Sequence, residues 1–317
     1  MSINWYPGHM KKTKELIVAN LKLVDAVVEL LDARIPLSSR NPQFDELVKN
    51  KKRIVAFTKS DLADRNKTKM WISAYEKQGI TAIPINAATG QGVNQLVDLI
   101  KTSCQDVLIR AEEKGRMHRP IRIMIIGIPN VGKSSLINKL AGKNAAKTGN
   151  KPGVTKGKQW IRINKDIDLF DTPGILWPKI EEDLMGIKLA VTGAIKDEIL
   201  NIEDIAFHLI NILLEQYPDA FTSRYDIDLK SYEDEELRTV EIMEAIGRKR
   251  GCIMRGNQVD LEKVSRLVID EYRKGSIGTM TLEVPTATSF EAPVMEEDIE
   301  LDPSQMVTMQ ESDVYDV

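Results

Sequence analysis

The sequence lacks any apolar run long enough to cross a lipid bilayer. Its longest apolar stretches, such as Ile121–Ile128, fall far short of the roughly 20 residues that a transmembrane helix needs. The N-terminus has no apolar secretion core, and it does not resemble an organelle transit peptide. We therefore expect a cytoplasmic protein with no membrane partner.

Cysteine is scarce as well. The chain has two cysteines, Cys104 and Cys252, which are far apart, have no CxxC spacing and have no histidine cluster nearby. Such a pair favours two reduced thiols over a disulfide or a metal site.

Basic residues are absent from the end of the chain. Residues 286–317 hold nine acidic side chains and no Lys or Arg. Removing these nine from the 47 acidic residues of the chain leaves 38 acidic residues against 44 basic ones. The rest of the chain therefore has a net charge of +6 and could bind RNA. We predict a disordered acidic tail over 285–317, and a solvated tail is favoured over one that shields a basic surface.

Short runs rich in Val and Ile alternate with helical patterns through the first half of the chain. The predicted strands are Val24–Leu31, Arg53–Phe57, Thr81–Ile85 and Ile121–Ile126. The predicted helices are residues 10–22, Asn41–Lys49, Thr68–Gln78, Val93–Glu113 and Ser134–Leu140. A hairpin of Gln159–Ile163 and Asp166–Phe170 follows. This alternation predicts an α/β fold with a mostly parallel six-stranded sheet and helices on both faces.

From about residue 181 to 275 the pattern is helical only. Ile202–Glu215, Asp234–Arg248 and Leu261–Arg273 carry the helical period, with Asp260 as a candidate N-cap of the last. We predict an α/β domain over 1–178, a small all-α domain over 179–284 and the tail over 285–317.

The segment Gly127–Ser134 matches the phosphate-loop pattern G-x-x-x-x-G-K-[ST], with a strand before it and a helix after it. Glycines let the backbone N–H groups turn toward a phosphate, and the helix N-terminus adds positive charge. We expect Lys133 to reach the β- and γ-phosphate oxygens as a catalytic residue and Ser134 to bind Mg²⁺. The phosphate-binding residues predicted here are Asn130, Val131, Gly132, Lys133, Ser134 and Ser135.

Two further segments fit the switch elements of a nucleotide hydrolase. Asp171–Gly174 ends the hairpin, so Asp171 could hold Mg²⁺ through water and the Gly174 N–H could contact the γ-phosphate in catalysis. Thr155, in a loop rich in Gly and Lys, is the expected switch threonine and Mg²⁺ ligand. Such a loop should order when the triphosphate binds, although a plain surface loop is an alternative.

Guanine recognition needs its own carboxylate, and the fitting motif lies upstream of the phosphate loop. Thr58-Lys59-Ser60-Asp61 follows one predicted strand and matches the base-reading pattern N/T-K-x-D. Asn86-Ala87-Ala88 follows the next strand and could contact the guanine O6 through backbone N–H groups. These motifs normally come last in a GTPase, so their order is circularly permuted here. A P-loop ATPase with a coincidental match is the alternative.

The permutation places the switch segment directly before the helical region. Movement after Asp171–Gly174 could therefore pass to residues 181–275, which is a hypothesis.

The position after Gly174 holds Ile175, whereas many GTPases place a Gln there to orient the attacking water. We expect slow hydrolysis unless another group acts. His9 is one candidate for this catalytic role, although a structural or partner-contacting histidine is slightly favoured. Asn130 occupies a position where a K⁺ ion could be held. Arg34 could approach phosphate, but a surface ion pair is favoured.

Together these motifs resemble the circularly permuted ribosome-assembly GTPases of the RbgA (YlqF) type in bacteria. The matching elements are Trp5-Tyr6-Pro7-Gly8-His9-Met10, Asp32-Ala33-Arg34, Thr58–Asp61, Gly127–Ser134, Gly153-Val154-Thr155 and Asp171–Gly174. The resemblance covers residues 1 to about 284, with Thr58 in place of the commoner Asn; the acidic tail has no match in the family.

The resemblance implies GTP and GDP binding, and a GTPase that acts on the maturing large ribosomal subunit, with rRNA and ribosomal proteins as partners. Possible RNA contacts are Lys11, Lys12, Lys14, basic residues from Lys143 to Lys158, Arg248-Lys249-Arg250 and Arg255. A GTP-regulated module that holds a protein partner away from the ribosome is the alternative. We expect a monomer.

Overall fold

The structure is a computed structural model. It describes residues 15–115, 119–142, 159–172, 174, 176, 183–197, 201–232, 234 and 237–290. No helix among them is long and apolar enough to cross a membrane.

A six-stranded sheet forms the centre of the first half of the chain. Its strands are β1 (Ala26–Asp32), β2 (Lys52–Thr58), β3 (Thr81–Pro84), β4 (Ile121–Gly127), β5 (Gln159–Arg162) and β6 (Ile167–Asp171). They lie in the order β3-β2-β1-β4-β6-β5, and only the β5–β6 hairpin pair is antiparallel. The predicted mostly parallel six-stranded sheet is therefore confirmed.

Helices cover both faces of this sheet, and the central strand β1 is therefore buried on both sides. Ala26, Val28 and Leu30 belong to one hydrophobic cluster, whereas Val27 and Leu31 belong to two others on the opposite face. Parallel strands covered in this way have near-continuous apolar sequences. The helices are α1 (Pro42–Val48), α2 (Arg65–Lys77), α3 (Val93–Ser103), α4 (Gln105–Glu113) and α5 (Lys133–Ala141), and residues 15–21 are also helical.

The prediction of one helix over Val93–Glu113 is wrong, because the helix is interrupted at Cys104. The N–H of this residue bonds to the carbonyls of Ile100 and Lys101, and its thiol is buried. The chain therefore tightens at the end of α3 before α4 begins, which a continuous helical period does not reveal.

The second half of the described chain is helical, as predicted. Its helices are α6 (Asp183–Val191), α7 (Ile202–Gln216), α8 (Pro218–Tyr225), α9 (Arg238–Arg250) and α10 (Leu261–Arg273). Asp260 caps α10 by accepting a bond from the N–H of Lys263, as the sequence predicted. α9 begins later than the predicted Asp234. α10 packs against α7 and α9.

After α10 the chain returns to the sheet. Met280 N–H bonds to the Leu62 carbonyl at 2.9 Å, and Leu282 N–H bonds to the Arg34 carbonyl at 2.8 Å. Residues 285–290, which the sequence analysis placed in the tail, end with the Phe290 ring 4.9 Å from that of Tyr75. The rest of the predicted tail, 291–317, lies outside the described residues. The division into domains at residue 178 stays a prediction.

Candidate nucleotide site

The phosphate loop connects β4 to α5 at the carboxyl edge of the sheet. Gly132 has φ 102° and caps α5, and Asn130 has φ 57°, so both adopt left-handed conformations. A side chain at Gly127 would come within 2.9 Å of the Leu30 carbonyl oxygen. The loop therefore passes too close to β1 for a Cβ atom at this position.

Lys133 is buried at the start of α5. Its ammonium group donates a hydrogen bond to the carbonyl of Thr172, which belongs to the predicted switch segment. Burial lowers the pKa of Lys133 to about 8, although the charge of Asp171 opposes the shift. The lysine therefore sits between the phosphate loop and the switch segment, where a triphosphate would give it a stronger partner.

The donor set around Lys133 fits a Mg²⁺ ion. Asp171 is 4% exposed, and its Oδ1 atom has no hydrogen-bond partner among the described residues. Burial raises the pKa of this carboxyl group, and the charge of Lys133 opposes the rise. Ser134, the predicted hydroxyl ligand, lies in the first turn of α5. A buried carboxylate oxygen without a partner is a suitable acceptor for metal-bound water.

Gly174 lies directly against the phosphate loop. A Cβ atom there would be 2.9 Å from both the backbone nitrogen and the Cα atom of Pro129. Thr172, two residues earlier, bonds through its hydroxyl to the Ile125 carbonyl of β4 at 2.7 Å. The structure thus brings the switch backbone beside the phosphate loop, as expected for an N–H group that contacts a γ-phosphate.

Thr58 joins the upstream guanine motif to the phosphate loop. Its hydroxyl donates toward two carbonyl oxygens, Val131 at 2.6 Å and Leu31 at 3.1 Å. Thr58 and Val131 are 73 positions apart in the chain. They lie close together because β2 and β4 flank β1 in parallel and end at the same edge of the sheet. Thr58, which stands in place of the commoner Asn, thus bonds to the phosphate loop through its hydroxyl.

Asn86 organises the second base-reading loop. Its buried side chain accepts bonds from the N–H groups of Ala88 at 2.9 Å and Thr89 at 3.1 Å. The N–H of Ala87 makes no hydrogen bond to another described residue. Of the three predicted residues, Ala87 is thus the one whose N–H is available, because the N–H of Asn86 bonds to the Gln91 carbonyl.

Asp61 is exposed and makes no hydrogen bond within the described part of the chain. Lys59, two residues earlier, has φ 53°, and its ammonium group bonds to Asp32 Oδ2 at 2.9 Å. The Asp61 carboxylate that would read guanine is therefore free, whereas the ammonium group of Lys59 is bound to the buried carboxylate of Asp32.

The expectation that Arg34 forms a surface ion pair is wrong. Arg34 is 1% exposed, and its guanidinium binds Asp32 through two bonds of 2.9 Å and 2.7 Å. Burial alone would raise the pKa of Asp32, but the charges of Arg34 and Lys59 hold it well below its usual range. Sequence reasoning missed Asp32 as a site residue; its position at the end of a buried, mostly apolar strand was the available signal.

Asn130 contacts the helical region rather than only the loop. Its side-chain N–H donates to the Gly193 carbonyl at 2.7 Å, just after α6, and its amide oxygen makes no bond to a described residue. That oxygen remains compatible with the predicted K⁺ ion. His9, Thr155 and Ile175 lie outside the described residues. So do the candidate RNA contacts at Lys11, Lys12, Lys14 and 143–158.

The fold and this edge of the sheet define a circularly permuted P-loop GTPase. A family described as "50S ribosome-binding GTPase" matches residues 122–245. The chain is 48% identical over 285 residues to Ribosome biogenesis GTPase A of Bacillus cereus, covering 90% of this chain and 95% of the relative. It is 34% identical over 283 residues to the Thermotoga maritima protein of the same name, covering 89% and 95%.

Two solved structures are similar over most of their length. A GDP-bound YlqF structure shares 27% identity at a TM-score of 0.62, covering 85% of this chain and 99% of that chain. A GNP-bound YlqF from T. maritima shares 28% at a TM-score of 0.59, covering 86% and 98%. The chain belongs to the ribosome biogenesis GTPase A (RbgA/YlqF) family. It is a ribosome-assembly GTPase that binds guanine nucleotide and hydrolyses GTP.

Proposed function

We propose that the protein binds the maturing large ribosomal subunit in its GTP state, in the cytoplasm, and dissociates after hydrolysis completes an assembly step. The relatives are named for ribosome biogenesis, and the matching family is described as binding the 50S ribosome. The alternative is a GTP-regulated module that holds a protein partner away from the ribosome.

The proposal that subunit binding depends on GTP rests on the contact between Asn130 and Gly193. This contact joins the phosphate loop to the turn after α6 at 2.7 Å. Arg273, at the end of α10, holds that turn by donating to the carbonyls of Val191 at 2.9 Å and Ala190 at 2.8 Å. A change in the phosphate loop thus has a short route of direct contacts to the helical region.

The chain supplies most of the groups that hydrolysis needs. Lys133 would balance charge on the β- and γ-phosphates, and the Gly174 N–H would bind the γ-phosphate. Ser134 and Asp171, with Thr155, would hold Mg²⁺, which neutralises charge that develops on the phosphate oxygens.

Water activation is the step for which a group is missing at the usual place, since Ile175 cannot orient water. His9 or a K⁺ ion at Asn130 would fill this role, and the subunit would stimulate the reaction by ordering them.

Exposed basic side chains at the end of α9 offer a surface for rRNA phosphates. Arg248, Lys249 and Arg250 are exposed, and Arg255 projects from the following turn without a partner among the described residues. Lys249 pairs with Asp226 at 2.7 Å, so a part of this charge is already balanced. Contacts of this kind would provide affinity rather than sequence specificity.

Co-sedimentation with large ribosomal subunits tests the proposal. The full chain should pellet with subunits several-fold more with a non-hydrolysable GTP analogue than with GDP. The subunits should also stimulate GTP hydrolysis at physiological K⁺. Lys133→Ala, which should lose the nucleotide response, is the control. Equal pelleting in both states, or no stimulation, would favour the protein-interaction alternative.

A further inference from the structure

The motif Asp32-Ala33-Arg34 belongs to none of the phosphate-binding elements, yet it lies beside the guanine-reading segment. Asp32 is the last residue of β1 and pairs in register with Thr58, the last residue of β2. Both strands run in the same direction, so the two residues lie at the same edge of the sheet. The segment Thr58–Asp61 therefore starts next to the Asp32 carboxylate.

Asp32 uses both carboxylate oxygens. Its Oδ1 accepts bonds from the backbone N–H of Arg34 at 3.1 Å and from the Nε of the same residue at 2.9 Å. Its Oδ2 accepts from the Nη2 of Arg34 at 2.7 Å and from Lys59 Nζ at 2.9 Å. The side chains of Asp32 and Arg34 are each 2% exposed, so this arrangement is shielded from water.

The ion pair with Lys59 has a consequence for the backbone. Lys59 adopts φ 53°, a left-handed conformation that residues with a side chain rarely adopt. Thr58 before it is bound to the phosphate loop, and Asp61 after it is exposed. The turn at Lys59 therefore sets how the Asp61 carboxylate stands relative to the phosphates.

We propose that Asp32 is a positioning residue for guanine recognition, which holds the turn at Lys59 and so presents the Asp61 carboxylate to the base. The inference rests on the assignment of Thr58–Asp61 as the guanine-reading segment and is independent of the ribosomal role. Arg34 is the buried counter-charge that keeps Asp32 ionised.

The C-terminal part of the chain supports this pair from behind. The guanidinium of Arg34 lies over the Tyr272 ring of α10, 5.6 Å from its centroid. The Arg34 carbonyl also accepts the bond from Leu282 N–H. Contacts from α10 and from the segment after it thus hold the side chain and the backbone of Arg34, the residue that orients Asp32.

The test compares two variants of the full chain that differ only at Asp32. Arg34→Met removes the buried cation and leaves Asp32 paired with Lys59. Asp32→Asn combined with Arg34→Met removes both charges of the buried pair and leaves Lys59, whose side chain is 25% exposed, without its carboxylate partner. The readout is affinity for GDP and for IDP, which lacks the 2-amino group that Asp61 would bind.

Relative to Arg34→Met, the double variant should bind GDP about tenfold more weakly, the size of one charge-assisted hydrogen bond. Its affinity for IDP, which keeps only the ring N1–H of the two guanine donors, should fall by less, so the preference for GDP over IDP should shrink. A purely structural role would weaken both nucleotides alike. Equal GDP affinity in the two variants, or parallel losses for both nucleotides, would overturn the proposal.

Two further variants keep the result interpretable. Asp61→Asn should abolish the preference for GDP over IDP; if it does not, the guanine-reading assignment itself fails. If the double variant does not fold, Lys59→Gln leaves the Asp32–Arg34 pair intact and should shrink the same preference. An unchanged preference in Lys59→Gln would also reject the proposal.

Discussion

At the scale of single residues, burial decides how the charged groups of the site behave. Lys133 has no carboxylate in bonding contact among the described residues, and its ammonium group rests on a backbone carbonyl. Asp32, in contrast, is surrounded by cations and stays ionised. The phosphate-binding lysine is therefore electrostatically unsatisfied without nucleotide, whereas the guanine-reading side of the site is already balanced.

Nucleotide binding should take up protons because of Lys133. Its pKa of about 8 means that it is roughly half protonated at pH 8 in the free protein. Bound phosphates favour the charged form and raise this pKa, so GDP binding at pH 8 should take up about half a proton. At pH 7 the uptake should fall to about a tenth.

Titration calorimetry at pH 8 in buffers of different ionisation enthalpy measures this uptake. Lys133→Arg, which stays charged at both pH values, should remove the uptake in any binding that it retains. Equal heats in all buffers with the unaltered protein would contradict the prediction.

At the scale of secondary-structure elements, local capping explains the boundaries that were predicted well. Asp260 and Asn201 cap α10 and α7 with side-chain oxygens that accept backbone N–H bonds. The interruption at Cys104 has no such local marker; the residue is fully buried, and its N–H bonds to carbonyls at the end of α3. Helix ends with a capping residue can therefore be predicted, whereas a break imposed by packing cannot.

Removing the cap of α10 should destabilise the protein measurably. Asp260→Ala leaves the N–H of Lys263 without its acceptor and should lower the free energy of unfolding by about 1 kcal/mol. Asp260→Asn retains a capping oxygen and should cost much less. Urea unfolding followed by circular dichroism compares the two, and equal losses would show that the cap is not responsible.

At the scale of the whole molecule, the segment after α10 ties the two halves together. The Glu283 carboxylate accepts bonds from the N–H groups of Leu37 at 2.6 Å and Ser38 at 3.1 Å, after β1. The same carboxylate lies 3.2 Å from the ammonium group of Lys188 in α6. The side chain of Glu283 thus bonds both to the loop after β1 and to α6 of the helical region.

Phe290 closes this segment against the sheet domain. Its ring makes edge contacts with Tyr75 and Trp71 and lies beneath the guanidinium of Arg40. Phe290→Ala should therefore lower the free energy of unfolding by about 1–3 kcal/mol. Thr288→Ala, at an exposed position, should change it by less than about 0.5 kcal/mol.

Thermal and urea unfolding of both variants measure the difference. If Phe290→Ala unfolds like Thr288→Ala, then the packing of residues 285–290 contributes nothing to stability.

The sequence by itself determined the parts that depend on local pattern. Alternating apolar runs and helical periods predicted the sheet, the hairpin and the helical second half. The phosphate loop and the switch aspartate were recognisable because their chemistry requires fixed residue types at fixed spacing. The permuted order followed from the same motifs.

Tertiary structure alone decided the contacts between residues distant in the chain. Arg34 was expected at the surface and is buried, because α10 and the returning segment at Leu282 cover it. The bonds from Asp32 to Lys59 and from Asn130 to Gly193 join positions 27 and 63 residues apart. No local period encodes such pairs, since strand order and the path of the returning chain bring them together.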